Sequence, residues 1–221
     1  MRAVVLTGAG DAFCVGADLS AGAATFARQD GGSFSAAAVD PPAFAVRKPV
    51  IAALNGHAVG LGLTLALQCD MRVAAAEARY GVLQVRRGVM PDAYAHWTLP
   101  RIVGMERAAA LLLTGRKISG SEAERMGLVL QALPAQEVLP AALEIAREIA
   151  DHAAPLSVAV TKRLLWQSPG LGPRQVERME TLLHHHLMGA ADALEGGRAW
   201  AERRPPRWSL SASRDFPSWP D

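Results

Sequence analysis

The stretch Val50-Ile51-Ala52-Ala53-Leu54-Asn55-Gly56-His57-Ala58-Val59-Gly60-Leu61-Gly62 decides how the rest of the chain is read. Its first six residues form a short aliphatic run closed by Asn and Gly, the pattern of a buried strand over Val50–Asn55. Small residues follow and open a helical pattern over Gly60–Gln68. The turn between them places unpaired backbone N–H groups at a helix start, where the helix dipole favours an anion. An earlier stretch has a similar design. A strand over Ala3–Thr7 runs through a glycine-rich turn into Phe13-Cys14-Val15-Gly16-Ala17-Asp18-Leu19. If the two loops face each other, one N–H from each makes an oxyanion hole, a device that thioester chemistry needs. Glycine spacing alone is weak evidence, and simple turn glycines account for it equally well. Dinucleotide binding fits less well, because the glycines miss its spacing and no acidic residue stands at a second strand end.

Outward from these loops, strands are also expected at Arg72–Ala75 and Leu128–Leu133, and helices at Asp92–Leu99, Met105–Thr114 and Ser121–Met126. The Ser121 helix opens on a capping-box pattern and closes at Gly127. This alternation implies an α/β core with mostly parallel pairing. Beyond Pro134 the pattern is helical: Pro140–His152, Pro155–Trp166 and Pro173–Arg203, the last with breaks at Gly189 or Gly196-Gly197. The expected plan is an α/β core over residues 1–134, a helical region over 135–204 and a Pro/aromatic tail over 205–221. Ser20–Asp40 reads as a loop or weak helix. Trp208, Phe216 and Trp219 in the tail suggest docking, with a neighbouring subunit as one partner.

The 221 residues suffice for one well-cored domain. A formal charge of +2 without clustered Lys and Arg argues against nucleic acid. No segment reaches the roughly 20 apolar residues of a membrane helix, and none reads as a signal peptide. Cys14 and Cys69 lack metal or redox spacing and read as reduced thiols, so the expected location is the cytoplasm. His184-His185-His186 points three ways on a helix and reads as surface, and no metal site is expected.

Taken together, Ala3-Val-Val-Leu-Thr-Gly-Ala-Gly10, Phe13-Cys-Val-Gly-Ala-Asp-Leu19, Lys48-Pro-Val-Ile-Ala-Ala-Leu-Asn-Gly56, Cys69-Asp70, Leu99-Pro-Arg-Ile-Val-Gly104, Leu113-Thr-Gly-Arg-Lys-Ile-Ser119 and Gly127-Leu-Val129 resemble the crotonase superfamily, or enoyl-CoA hydratase/isomerase family. The resemblance covers essentially the whole chain. It implies a spiral of ββα units with a helical C-terminal trimerisation region, and an acyl-CoA thioester as ligand. It implies a homotrimer or hexamer, and no cofactor beyond the coenzyme A of the substrate. The oxyanion donors implied are the N–H groups of Ala17 and Leu61, flanked by Gly16 and Gly60. Members usually carry about 50 further residues before the first strand matched here, a segment that helps hold the nucleotide; by resemblance this chain lacks it.

In hydratases of the family two glutamates hold and activate water; those positions fall at Thr64 and Gln84. Neither side chain is a general base at neutral pH, so ordinary hydration is not the expected reaction. Asp92, in Met90-Pro-Asp-Ala-Tyr94, matches a catalytic aspartate of some members: dienoyl-CoA isomerases, an epoxyphenylacetyl-CoA isomerase and the 4-chlorobenzoyl-CoA dehalogenase. A single carboxylate there shuttles a proton between carbons while the oxyanion hole holds the enolate. A nucleophilic role fits poorly, because the dehalogenase histidine falls at Ala37 and its tryptophan at Gln84. The alternative for Asp92 is a helix N-cap. His96 at i+4 would tune Asp92 or simply be solvated or packed, and Tyr94 and Trp97 would be core residues or line the acyl pocket. His57 reads as a loop residue, and Asp18 as a loop-shaping acceptor. The expected function is enolate-stabilising isomerisation. The alternatives are a non-catalytic acyl-CoA carrier and an atypical hydratase whose water is held by Asp92 and Gln84.

Overall fold

The structure, a computed structural model, describes residues 1–27 and 35–220. Its compact units are two: one of Val5–Ala43 with Val50–Leu143, the other of Met1–Val4, Phe44–Pro49 and Glu144–Asp221. Among the described residues, no helix is long and apolar enough to cross a membrane.

Two four-stranded sheets alternate along the chain. The first takes β1 (Val4–Thr7), β3 (Val50–Leu54), β5 (Met71–Ala75) and β8 (Gln131–Leu133), in that spatial order. The second takes β2 (Ala12–Cys14), β4 (His57–Val59), β6 (Arg79–Gly81) and β7 (Ile118–Ser119). Pairing is parallel for β3–β5, β5–β8, β2–β4 and β4–β6, and antiparallel for β6–β7. Each strand of the first sheet is thus followed, or preceded, by a shorter one in the second. The expected α/β class and ββα arrangement are present. All five residues of β3 are buried, which explains why its sequence is a continuous apolar run rather than an alternation. Tyr80, fully buried, directs its hydroxyl to the carbonyls of Leu54 and Ala75 and so ties the two sheets together. Burial pushes this phenol well above its ordinary value of 10.

The strands of the second sheet were not read from the residue pattern, only implied by the ββα resemblance. These strands have two or three residues, too few for a period-2 pattern to register. The Leu128–Leu133 strand shrinks to β8, with Gly127 (φ 76°) and Leu128 occupied in ending the helix before it. That helix, α4 (Gly120–Arg125), is capped by Ser119 Oγ, which accepts from Glu122 N at 3.1 Å, and not by Ser121. The remaining helices of this unit are α1 (Leu61–Ala66), α2 (Ala95–Val103) and α3 (Met105–Thr114). Among the described residues, Cys14 and Cys69 are not joined in a disulfide.

The helical segments α5 (Ala135–His152), α6 (Pro155–Gln167), α7 (Pro173–Leu187) and α8 (Ala191–Ala201) follow. The long pattern from Pro173 breaks at Gly189 (φ 78°), whereas Gly196 and Gly197 lie inside α8. The Trp208 ring packs beside Gly196, 3.5 Å from where a Cβ would be, an ordinary van der Waals distance. The aromatic tail docks on its own chain. Phe216 and Trp219 stack at 5.7 Å against a cluster of Leu156, Val160 and Leu183. The Arg47 guanidinium lies over Phe216 at 4.4 Å and that of Arg163 over Trp219 at 4.3 Å, while Trp219 Nε1 donates to Gln167. His184, His185 and His186 are exposed. Of the Ser20–Asp40 segment, Gly22–Phe26 forms a 3-10 turn, and residues 28–34 lie outside the described residues.

Candidate active site

Two neighbouring parallel strands aim the two glycine-bearing loops at each other. In the β2–β4 pair Ala12 faces His57 and Cys14 faces Ala58, so the residues after each strand emerge side by side. A Cβ on Gly16 would lie 2.9 Å from Val59 O and 3.6 Å from Leu61 N. Gly60 (φ 56°, ψ −124°) makes the turn into α1 and donates to Gly81 O of β6. Leu61 opens α1, so its N–H falls outside the helix's own i to i−4 ladder. Ala17 follows Gly16 (φ 88°) in the facing loop. Gly62 allows the approach, because a Cβ there would collide with the carbonyl of Cys14. Gly16, Ala17, Gly60 and Leu61 are therefore one local feature.

Beside it stands a cluster of three side chains. Thr64, fully buried on the next turn of α1, places Oγ1 3.1 Å from Leu61 O and 3.4 Å from Asp92 Oδ1. Its one proton serves one of these acceptors at a time. Gln84, from a 3-10 turn over Gln84–Arg87, donates Nε2 to the same Asp92 Oδ1 at 3.1 Å. An ionised carboxylate only accepts, which orients the amide nitrogen toward Asp92. Gln84 Oε1 is consequently turned toward Gly60, buried and without a hydrogen-bond partner among the described residues. Thr64 and Gln84, the positions at which the resemblance puts the hydratase glutamates, thus both lie within hydrogen-bond reach of Asp92 Oδ1.

Asp92 itself is not a helix cap. The helix starts at Ala95, three residues later than the sequence suggested, with Tyr94 in the cap position and no side-chain cap bond. Ala93 (φ 47°) and Tyr94 (φ 64°) are consecutive non-glycine residues in the left-handed region, a strain of about 1–3 kcal/mol each. The turn is held nonetheless: Ala93 N donates to Ala36 O at 2.7 Å, and Gln68 Nε2 donates to Ala93 O at 3.2 Å. Tyr94 is 38% exposed, two residues from Asp92.

His96 is exposed and lies on α2, which Asp92 precedes, so the expected i, i+4 relation on one helix does not exist. His57 has a structural task, its Nδ1 accepting from Arg79 N at 2.9 Å across the β4–β6 pair. Asp18 shapes its loop by accepting from Ser20 N, and that bond lowers its carboxyl below the ordinary value. Gln68 and Ala36 were not singled out from the sequence. Gln68 did carry a signal, a polar residue inside the apolar run that ends α1, whereas nothing marks Ala36 because only its carbonyl acts.

The family model of enoyl-CoA hydratase/isomerase matches residues 1–211. This chain belongs to that family. Solved family structures superpose closely on it. A Mycobacterium abscessus protein described as a probable enoyl-CoA hydratase/isomerase is 55% identical, with a TM-score of 0.90 over 95% of this chain and 82% of that one. An enoyl-CoA hydratase of Bacillus anthracis is 34% identical, with a TM-score of 0.87 over 94% and 81%. Among curated relatives, an enoyl-CoA hydratase of Alternaria alternata is 35% identical over 214 residues, covering 94% of this chain and 71% of its own. The family acts on acyl-CoA thioesters, and the crotonase-like fold expected from the sequence motifs is the one observed.

Proposed function

We propose that this family member is a cytoplasmic acyl-CoA enzyme that stabilises a thioester enolate and isomerises its substrate with one aspartate. The Ala17 and Leu61 N–H groups receive the thioester oxygen, flanked by Gly16 and Gly60. Asp92 takes a proton from the α or γ carbon; the C–H electrons pass into the enolate oxygen, and the proton returns to the other carbon. Thr64, Gln84 and Tyr94 line the acyl site. No cofactor enters apart from the coenzyme A of the substrate. One observation carries the reading: among the described residues of the cluster Asp92 is the carboxylate, with Gln84 Nε2 donating to its Oδ1 and Thr64 Oγ1 within reach of the same oxygen. A base whose one oxygen is held by a donor keeps the other for the proton.

A second reading, an atypical hydratase, draws on two observations. Relatives bear the name enoyl-CoA hydratase, and the partnerless Gln84 Oε1 beside Asp92 offers an acceptor for water. The deciding experiment is α-proton exchange in deuterated water, read by mass spectrometry over saturated, 2-enoyl and 3-enoyl CoA esters. Exchange or double-bond migration is expected, falling about 10²–10⁴-fold in Asp92→Asn while esters still bind. Exchange that survives Asp92→Asn refutes the role of Asp92. Hydration of crotonyl-CoA at a normal family rate favours the second reading, and binding without any turnover leaves a carrier. A trimer or hexamer is the expected assembly, and a monomeric mass in light scattering would exclude it.

A further inference from the structure

The geometry points to Gln68 as a positioning residue that sets the Asp92 carboxylate by pinning the strained Ala93-Tyr94 turn; this rests on the proposed role of Asp92. Gln68 is 1% exposed in the turn two residues past α1, and its buried amide is used at both ends. Nε2 donates to Ala93 O at 3.2 Å, and Oε1 accepts from Ala43 N at 3.4 Å. The first bond falls on the residue directly after Asp92, the first of two successive non-glycine residues with positive φ. Such a conformation persists only where its surroundings over-determine it. Here one residue is held through both of its flanking peptides: Ala36 O takes the Ala93 N–H, and Gln68 takes the Ala93 carbonyl.

The link to the chemistry is short. Gln68 and Thr64 lie on adjacent turns of one segment, so the same element that donates to Asp92 Oδ1 also anchors the backbone carrying Asp92. Removing the Gln68 donor leaves Ala93 O buried without its partner and lets the turn relax toward ordinary φ values. Asp92 would then leave the donors Thr64 Oγ1 and Gln84 Nε2, whose bonds at 3.4 and 3.1 Å are already long. The oxyanion loops depend on the β2–β4 pairing and not on Gln68, so thioester binding should survive.

The test compares wild type, Gln68→Met, Asp92→Asn and the double variant by ester-binding affinity and α-proton exchange on one saturating CoA ester. Methionine keeps the volume and removes both hydrogen bonds. The expected result is an exchange rate in Gln68→Met lower by about 10²-fold, the scale of an ångström misplacement, with Kd within about twofold. A merely structural role would not separate rate from binding in this way. In the double variant the rate should be no lower than in Asp92→Asn alone. If Gln68→Met does not fold, Gln68→Leu, which also lacks the donor, should show the same split. An inactive Asp92→Asn beside a fully active Gln68 variant overturns the positioning role alone. A fully active Asp92→Asn overturns the reading of Asp92, and the Gln68 inference with it.

Discussion

Gly62→Ala tests whether the two proposed oxyanion donors are held together by backbone contact. The added Cβ would meet Cys14 at 2.7 Å from its carbonyl carbon and 2.8 Å from its Cβ, and nearer still to its carbonyl oxygen. Carbon atoms at rest sit about 3.5–4.0 Å apart, so α1 or the end of β2 must retreat by roughly 1 Å. Gly62 adjoins Leu61, and Cys14 stands three residues before Ala17, so this retreat opens the gap between the two N–H groups. An ångström of misplacement costs on the order of 10²-fold in rate. Overpacking against backbone adds a stability loss of about 1–3 kcal/mol. Exchange of the α proton in deuterated water measures the first effect and a thermal melt the second. A folded Gly62→Ala protein exchanging at the wild-type rate would refute the idea that these facing loops hold the thioester oxygen.

Gly197→Ala serves as the contrasting change: it lies inside α8 with no atom within 4 Å of the new Cβ, so it should stabilise by about 0.5–1 kcal/mol and raise the melting temperature. Tyr80→Phe removes the hydroxyl shared by Leu54 O and Ala75 O and should cost about 1–3 kcal/mol in denaturant titrations. Because the folded-state phenol is raised above 10, its contribution is whole below pH 10 and declines as pH rises beyond it; the gap between wild type and Tyr80→Phe should narrow on the alkaline side. Glu195 behaves in the opposite sense. Its hydrogen bonds from Arg204 lower it from 4.5 to about 2, so its contribution is present above pH 4.5 and is lost as pH falls through about 2. Melts of wild type and Glu195→Gln should therefore differ at neutral pH and converge at acid pH. Phe216→Ala, which removes a ring from between Arg47 and Trp219, should destabilise the docked tail by about 2 kcal/mol, and an unchanged melt would contradict that packing.

The candidate donors were readable early because they are backbone groups. Their requirement is for small residues at strand ends, and Gly16, Gly60 and Gly62 state that requirement in one dimension. Asp92 was different. Pro-Asp before a helical pattern is an ordinary start signal, and its local sequence could not separate a cap from a site. Its side-chain partners lie 28 and 8 residues away, and the cap reading fails only because α2 begins at Ala95. Ser119 and Ser121 show the same limit on a smaller scale. Both offer a hydroxyl near the start of α4, and the choice went to the residue in extended conformation with its oxygen 3.1 Å from Glu122 N.

By itself the sequence determined the family, the α/β alternation and the buried strand Val50–Leu54, because these rest on runs of residues whose periodicity or order is recorded along the chain. It also marked the turns at Gly16 and Gly60 as able to present N–H groups. Only the tertiary structure decided which residues pair in the second sheet, since pairing of two- and three-residue strands is a property of their neighbours. It likewise decided that Gln84 turns its nitrogen to Asp92 and its oxygen to Gly60, that the aromatic tail lies on its own helices, and that Gln68 holds the turn beside Asp92. Each of these is a contact between residues distant in sequence, and side-chain hydrogen bonds of that kind leave no period or spacing to read.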